Sequence, residues 1–357
     1  MSATIDSNSS PTDPDSVLQQ WDSWCQHLES RQSPCPPTDL FHCDSARFLQ
    51  WGLPVALDPA DLERFNKTTR SGVSSQFWAA QLDTWIAAGV SAPPTLKFAY
   101  DCLAWCHHLP RLSQLLPANA WTDLLENLVD LADTGQDLSA LDHPLPYTLL
   151  AGELGLTLNY LFPELDSCRA LYEPSCDALA TSLVDLVDGE GLPHASDIAI
   201  FRALLASWAR CDKMSTSTGT SCFNDDAHAQ LEWAVRLAVL LTRKDGSQLF
   251  TPPVPDKSWH RCCAVALELA GDEVDWYLAS RAILKLQQRT AHRREFVNVE
   301  PANLPPLAIH SEWSELTIMR TGRDRPQQQL ALRYDQPIMN TELIHRGHSL
   351  LHGNWTT

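Results

Sequence analysis

Residues 188–211 read DGEGLPHASDIAIFRALLASWARC, and the change of character inside this stretch decides how the rest of the chain is read. Gly189, Gly191 and Pro193 interrupt a helix running into them, since glycine is conformationally costly there and proline lacks the backbone donor. Ser196 or Asp197 then offers a side-chain oxygen to cap the following helix. Ile198, Phe201, Leu204, Leu205 and Trp208 recur at helical spacing and form one apolar face. A broken loop followed by an amphipathic helix is one arm of a helical hairpin. The same unit recurs on both sides, with helices expected at about 145–162, 167–187, 197–211, 224–243, 258–270 and 273–289.

Further upstream the period of 3.6 persists. Pro14 and Pro59, each preceded by aspartate, are helix-start signals. Phe77, Trp78, Leu82, Trp85 and Ile86 trace one stripe, Leu96, Ala99, Cys102, Leu103 and Cys106 another, and Trp121, Leu124, Leu125, Leu128 and Leu131 a third. After Arg289 the pattern changes. Pro301, Pro305 and Pro306 exclude a helix interior, and then Leu316, Ile318 and Arg320 alternate with their neighbours, as do Leu330, Leu332 and Tyr334. Thr341–Ile344 and Ser349–Leu351 read as two more strands. The expected fold is mainly α: an incomplete α/α-toroid of antiparallel hairpins, then a short antiparallel β segment. The expected organisation is a disordered 1–12, a helical unit over 13–290, a proline-rich linker over 291–310, and the start of a β-sandwich, cut short, over 311–357.

Composition narrows the function. Among 357 residues, 26 Lys and Arg face 44 Asp and Glu, a formal charge of −18. That excess excludes a sequence-blind nucleic-acid binder, which needs cations to release counterions, and electrostatic docking on an anionic membrane. Local basic clefts can still sit in an acidic surface. Residues 1–15 hold no cationic, apolar leader, so the expected compartment is the cytoplasm; a start site misplaced relative to a leader would make it periplasmic or secreted. No run reaches the roughly 18 apolar residues of a membrane span. Eleven cysteines cannot all pair within one chain, and they read as mostly reduced and buried. Cys102 and Cys106, followed by His107 and His108, look the most metal-like, yet they share the apolar stripe of Leu103, so core packing is the expected role and no metal or cofactor is expected. Dinucleotide, phosphate-loop, zinc-protease and serine-hydrolase signatures are absent. Thirteen tryptophans suit packed helices or sugar-stacking surfaces. Trp21, Trp78, Trp85, Trp121, Trp208 and Trp233 lie on apolar helical faces, which favours the core. His194 sits in a loop that is either an ordinary connection or the rim of a cleft, where an imidazole exchanges protons near neutral pH.

The loop 188–195 followed by Phe201–Cys211 resembles the helical domain of heparinase II/III-type proteins, in which an Asp-Gly-Gly-like loop precedes a helix of the same leucine spacing. Leu150–Glu164 and Arg243–Ser247 fit that domain, and Ser311–Arg320 resembles the entry into the family's β domain. The resemblance covers roughly 140–355. It implies a toroid joined to a β-sandwich, and β-elimination on uronic-acid polysaccharide, with an acidic polysaccharide or oligosaccharide as partner. It implies Asn159 as the holder of the uronate carboxyl group, Tyr160 as acid and His194 as proton-transfer group. Arg202 would neutralise the carboxylate, and His345 or His348 would reach in from the sheet. Two family features are missing: Phe250 and two prolines stand where a tyrosine is expected after the Asp-Gly-Ser turn, and Leu343–His348 lacks the family's histidine-rich strand pattern. The competing reading is a non-catalytic helical scaffold or carbohydrate-binding homologue. Convergence of the named residues in one cleft would favour the lyase, and scatter the scaffold.

Overall fold

The computed structural model describes residues 14–70, 75–89, 94–253, 258–283, 299–300, 303–323, 328–335 and 338–356. The expected N-terminal tail and half of the expected linker, 291–298 and 301–302, therefore lie outside the described residues. The longer helices are α1 (Pro14–Ser30), α2 (Pro59–Arg70), α3 (Ser75–Gly89), α4 (Leu96–Leu112), α5 (Ala118–Gly135), α6 (Gly155–Leu161), α7 (Tyr172–Leu186), α8 (Phe201–Ser217), α9 (Asp225–Leu240), α10 (Trp259–Ala270) and α11 (Glu273–Ala282). Both aspartate-proline signals fall where helices begin. Side-chain caps account for several other starts: Thr95 accepts from the Phe98 N–H, Asn224 from Ala227, and Asp272 forms a reciprocal capping box with Asp275. These helices form the incomplete α/α-toroid of antiparallel hairpins expected from the 3.6 periodicity. No described helix is long and apolar enough to cross a membrane.

Two local departures have physical reasons. Thr148–Leu154 is a π-helix running directly into α6, where a continuous α-helix was expected. It is wholly buried among α4, α5, α7 and α8, and a Cβ added at Gly152 would meet Leu179 at 2.7 Å. Apolar spacing cannot distinguish the wider turn, because residues buried on every side leave no stripe. Secondly, neither Ser196 nor Asp197 caps α8. A 3₁₀ turn, Ala195–Asp197, intervenes, and it is the His194 ring nitrogen that accepts from the Ser196 N–H.

The toroid core is rich in aromatic rings and also encloses polar side chains, among them a charged pair. Arg210 and Glu153, both fully buried, pair through two hydrogen bonds of 2.6 and 2.7 Å, and Arg210 also donates to the Phe48 carbonyl at 3.1 Å. Such a pair survives burial because every strong donor has an acceptor. All eleven cysteines are free. Cys102 and Cys106 are fully buried, and burial pushes both thiols well above their usual range.

The chain closes with a five-stranded antiparallel meander, β1 (Ala308–Ser311), β2 (Leu316–Arg320), β3 (Gln328–Arg333), β4 (Ile338–His345) and β5 (His348–Thr356). β1 begins inside the expected linker and ends at Ser311, the first residue of the expected β segment; four residues with no flanking alternation are too short to read as a strand. The register aligns Ile309, Ile318, Ala331 and Glu342 on the face against the helices. Met319, Leu330, Leu343 and Leu351 align on the other face.

Candidate functional site

Two loops of the helical unit meet the sheet, and they are built alike. In the first, Val187 and Pro193 form an antiparallel bridge, and the Asp188 carboxylate accepts from the Glu190 and Leu192 N–H groups, both at 2.9 Å. In the second, Thr242 bridges Gln248, and Asp245 accepts from the Ser247 N–H at 2.9 Å and its hydroxyl at 2.6 Å. These bonds hold the Asp245 carboxyl below its usual range even against partial burial. Each loop turns at a glycine with positive φ, Gly191 at +82° and Gly246 at +88°. The two are neighbours in space, since the Gln248 amide donates to the Ile198 carbonyl just beyond the first loop.

Each loop is also tied to the sheet. The Ser314 hydroxyl lies 3.0 Å from Asp188 Oδ2 and 3.2 Å from the Leu192 carbonyl, and the Ser314 carbonyl accepts from the Ala195 N–H at 2.9 Å. Arg243 grips Glu342 of β4 through Nε at 2.5 Å and Nη2 at 2.8 Å, with both residues buried. Glu342 accepts further from the Phe250 N–H. This seam between toroid and sheet is the candidate site.

His194 stands at one end of it. Its Nδ1 accepts from Ser196, so the neutral ring carries its proton on Nε2, which lies 3.5 Å from Glu315 Oε2. Trp313 packs edge-to-face on the imidazole at 5.8 Å and 84° while remaining 48% exposed. Asp197, pushed up by burial, and Asp335, held down by its double hydrogen bond to Arg333, complete the surroundings.

His345 and His348 face each other across the tight β4–β5 turn at the other end. Gly347 in that turn rests on Lys244 so closely that an added Cβ would sit 2.6 Å from the lysine side chain. From Asn340, the register partner of Arg333, to His345 is five strand residues, about 17 Å. His194 and the hairpin histidines therefore share the seam but not a contact.

The remaining expected residues fall elsewhere. The Tyr160 hydroxyl donates to the Cys35 carbonyl at 2.5 Å and lies 3.3 Å from Ser217, at the C-terminal end of α8. Burial raises its pKa. His194 precedes the N-terminal end of the same helix, about 24 Å away along its 17 residues. Asn159, half-buried beside Tyr160 on α6, goes with that end. Arg202 is buried and donates to the Gly246 carbonyl at 2.8 Å and the Thr242 hydroxyl at 2.9 Å, with its guanidinium 4.1 Å from the Trp259 ring. It braces the second loop from inside rather than facing a lumen. Trp78, Trp85, Trp121 and Trp208 are core as expected, but Trp233 is 41% exposed, with Arg236 over its ring. Sequence reasoning missed Trp313, Glu315, Lys244 and Arg346 as site residues. Arg346 adjoins His345 in sequence, whereas the proximity of Trp313, Glu315 and Lys244 to the histidines depends on how the sheet docks, so no local pattern marks those three.

A helical toroid whose loops clasp an antiparallel sheet defines a heparinase-like fold. No family model matches the chain, and no curated protein matches it. Among solved structures it is similar to a heparinase III with methylated lysines, at 14% identity and a TM-score of 0.53. The match covers 78% of this chain and 46% of that one, so the chain spans about half the length of the heparinase. At that identity the likeness shows the fold alone.

Proposed function

We propose that this chain is a polysaccharide-binding protein of heparinase-like fold that holds acidic glycans where the β4–β5 turn meets the second loop. The reading rests on one observation. Lys244, Arg346, His345 and His348 gather there, and none has a carboxylate ion-pair partner among the described residues. In a chain of net charge −18, an uncompensated basic patch is a local field for carboxylate or sulfate groups. The helical unit, 13–290, and the sheet unit, 311–357, supply its two walls.

The scatter of Asn159, Tyr160 and His194 favours binding over cleavage, because β-elimination needs base, acid and carboxylate neutralisation around one sugar. Cleavage is the second reading, and the observation favouring it is His194, a partly exposed imidazole whose Nε2 faces the Glu315 carboxylate at 3.5 Å.

The test is titration of a panel of uronate and sulfated polysaccharides, with a neutral glucan as control, at low and high salt. Lys244→Glu/Arg346→Glu is expected to weaken acidic-glycan binding at least tenfold at low salt, with the difference shrinking as salt screens it. Unchanged affinity sinks the proposed patch. Absorbance of an unsaturated product, lowered about 10²–10⁴-fold in His194→Ala, would establish the second reading.

A further inference from the structure

Trp313 has no core role, and its surroundings differ from those of the basic patch. We propose that Trp313 and His194 form a second subsite, which takes the face of an uncharged pyranose ring. This rests on the polysaccharide-binding reading and adds that the glycan is mixed, with neutral units at one end of the seam and anionic groups at the other.

Three observations carry it. First, an indole 48% exposed offers an apolar face to solvent, and the axial C–H face of a sugar ring is a partner of matching chemistry. Second, the tryptophan is mounted on fixed backbone. Its neighbour Ser314 is fully buried, bonds Asp188, Leu192 and Ala195, and donates its backbone N–H to the Ser311 hydroxyl at 3.1 Å. Little ordering is left to do when a ligand arrives, which favours affinity. Third, the charges face the wrong way for an acidic sugar. Glu315 lies beside His194, Glu312 beside Tyr334, and Asp197 close by, while the nearby cation, Arg333, is engaged through Nε and Nη2 by Asp335. Carboxylates accept from sugar hydroxyls and repel uronates or sulfates. The His194 Nε2 proton supplies a matching donor.

The experiment is binding by calorimetry of two probes: a glucuronoxylan oligosaccharide, in which neutral xylose units carry spaced uronates, and an oligogalacturonate, in which every unit is charged. The variants are Trp313→Ala, Trp313→Phe and Trp233→Ala, the last an exposed tryptophan on α9 that does not touch His194. Trp313→Ala is expected to lose about tenfold or more on the glucuronoxylan and to stay within twofold on the oligogalacturonate. Trp313→Phe should recover part of the loss, and Trp233→Ala should bind both probes as wild type does. Wild-type binding that Trp313→Ala leaves unchanged on both probes overturns the subsite and leaves the basic-patch reading standing. An equal loss on both probes overturns the neutral-sugar assignment. If wild type binds neither probe nor any acidic glycan of the panel, the polysaccharide reading itself falls.

Discussion

His107 sits beside the cysteines that look most like metal ligands in the sequence, and its environment is that of a trapped neutral base. Both ring nitrogens are buried without a hydrogen-bond partner among the described residues, and the ring meets Phe48 edge-on at 4.8 Å. Burial first, and the nearby Arg210 guanidinium second, hold its pKa well below the ordinary histidine value. The unfolded chain takes up a proton near pH 6.5 that the folded chain refuses. Stability from this residue is therefore complete above pH 6.5 and falls as pH drops below it, by up to about 1.4 kcal/mol per unit. His107→Phe, which keeps the ring contact and removes the two unpaired nitrogens, should flatten that slope and leave stability at pH 7.5 equal or higher. Urea unfolding of both proteins between pH 5 and 7.5 checks it, and parallel pH dependences would count against a neutral buried His107.

At the scale of elements, the first loop depends on one glycine and is indifferent to another. Gly191 has φ +82°, and an added Cβ would lie 2.3 Å from the Trp233 main-chain carbon. Gly189, two residues earlier, has nothing within 4 Å of the same position. Gly191→Ala should cost about 1–3 kcal/mol through the φ penalty and displacement from α9. Gly189→Ala should stay within about 0.5 kcal/mol. Thermal melts of the two variants separate them; equal shifts would mean that the loop does not rest on α9. The contrast has a sequence-level counterpart. Two glycines and a proline announced that the helix breaks, yet nothing local told which glycine carries the backbone constraint, because the clashing atom belongs to a helix 40 residues on.

For the molecule as a whole, the docking of sheet on toroid hangs on buried polar ties, and Arg243–Glu342 is the strongest of them. Glu342→Gln leaves a guanidinium 4% exposed at its side chain without its counter-charge, and the expected loss is about 3–5 kcal/mol. Arg243→Met/Glu342→Leu removes both charges and should cost less than either single change. Denaturation of the singles and the double provides the cycle. Hydrogen exchange over β4 and β5 supplies the second readout, since Glu342→Gln should speed exchange there before it does in α8. A double variant as costly as the sum of the singles would show that the two side chains do not act as a pair.

The sequence by itself determined the helical hairpins, the switch to strands near residue 311 and the burial of most tryptophans and cysteines. Those features follow from spacing along one segment, and apolar periodicity of 3.6 or 2 needs no knowledge of distant residues. It also marked His194 as a polar group on a loop, and His345 and His348 as histidines of the β segment. Only the tertiary structure decided that Tyr160 belongs to the opposite end of α8 from His194 and that Arg202 faces inward to brace a loop. The same holds for the exposure of Trp233 and for Trp313 and Lys244 coming to stand beside the histidines. Apart from the exposure of Trp233, each depends on a contact between segments from 40 to more than 100 residues apart, such as Ser314 on Asp188 and Glu342 on Arg243. Buried hydrogen bonds and ion pairs of that kind are chosen by how whole elements dock, and a linear pattern carries no trace of their partners.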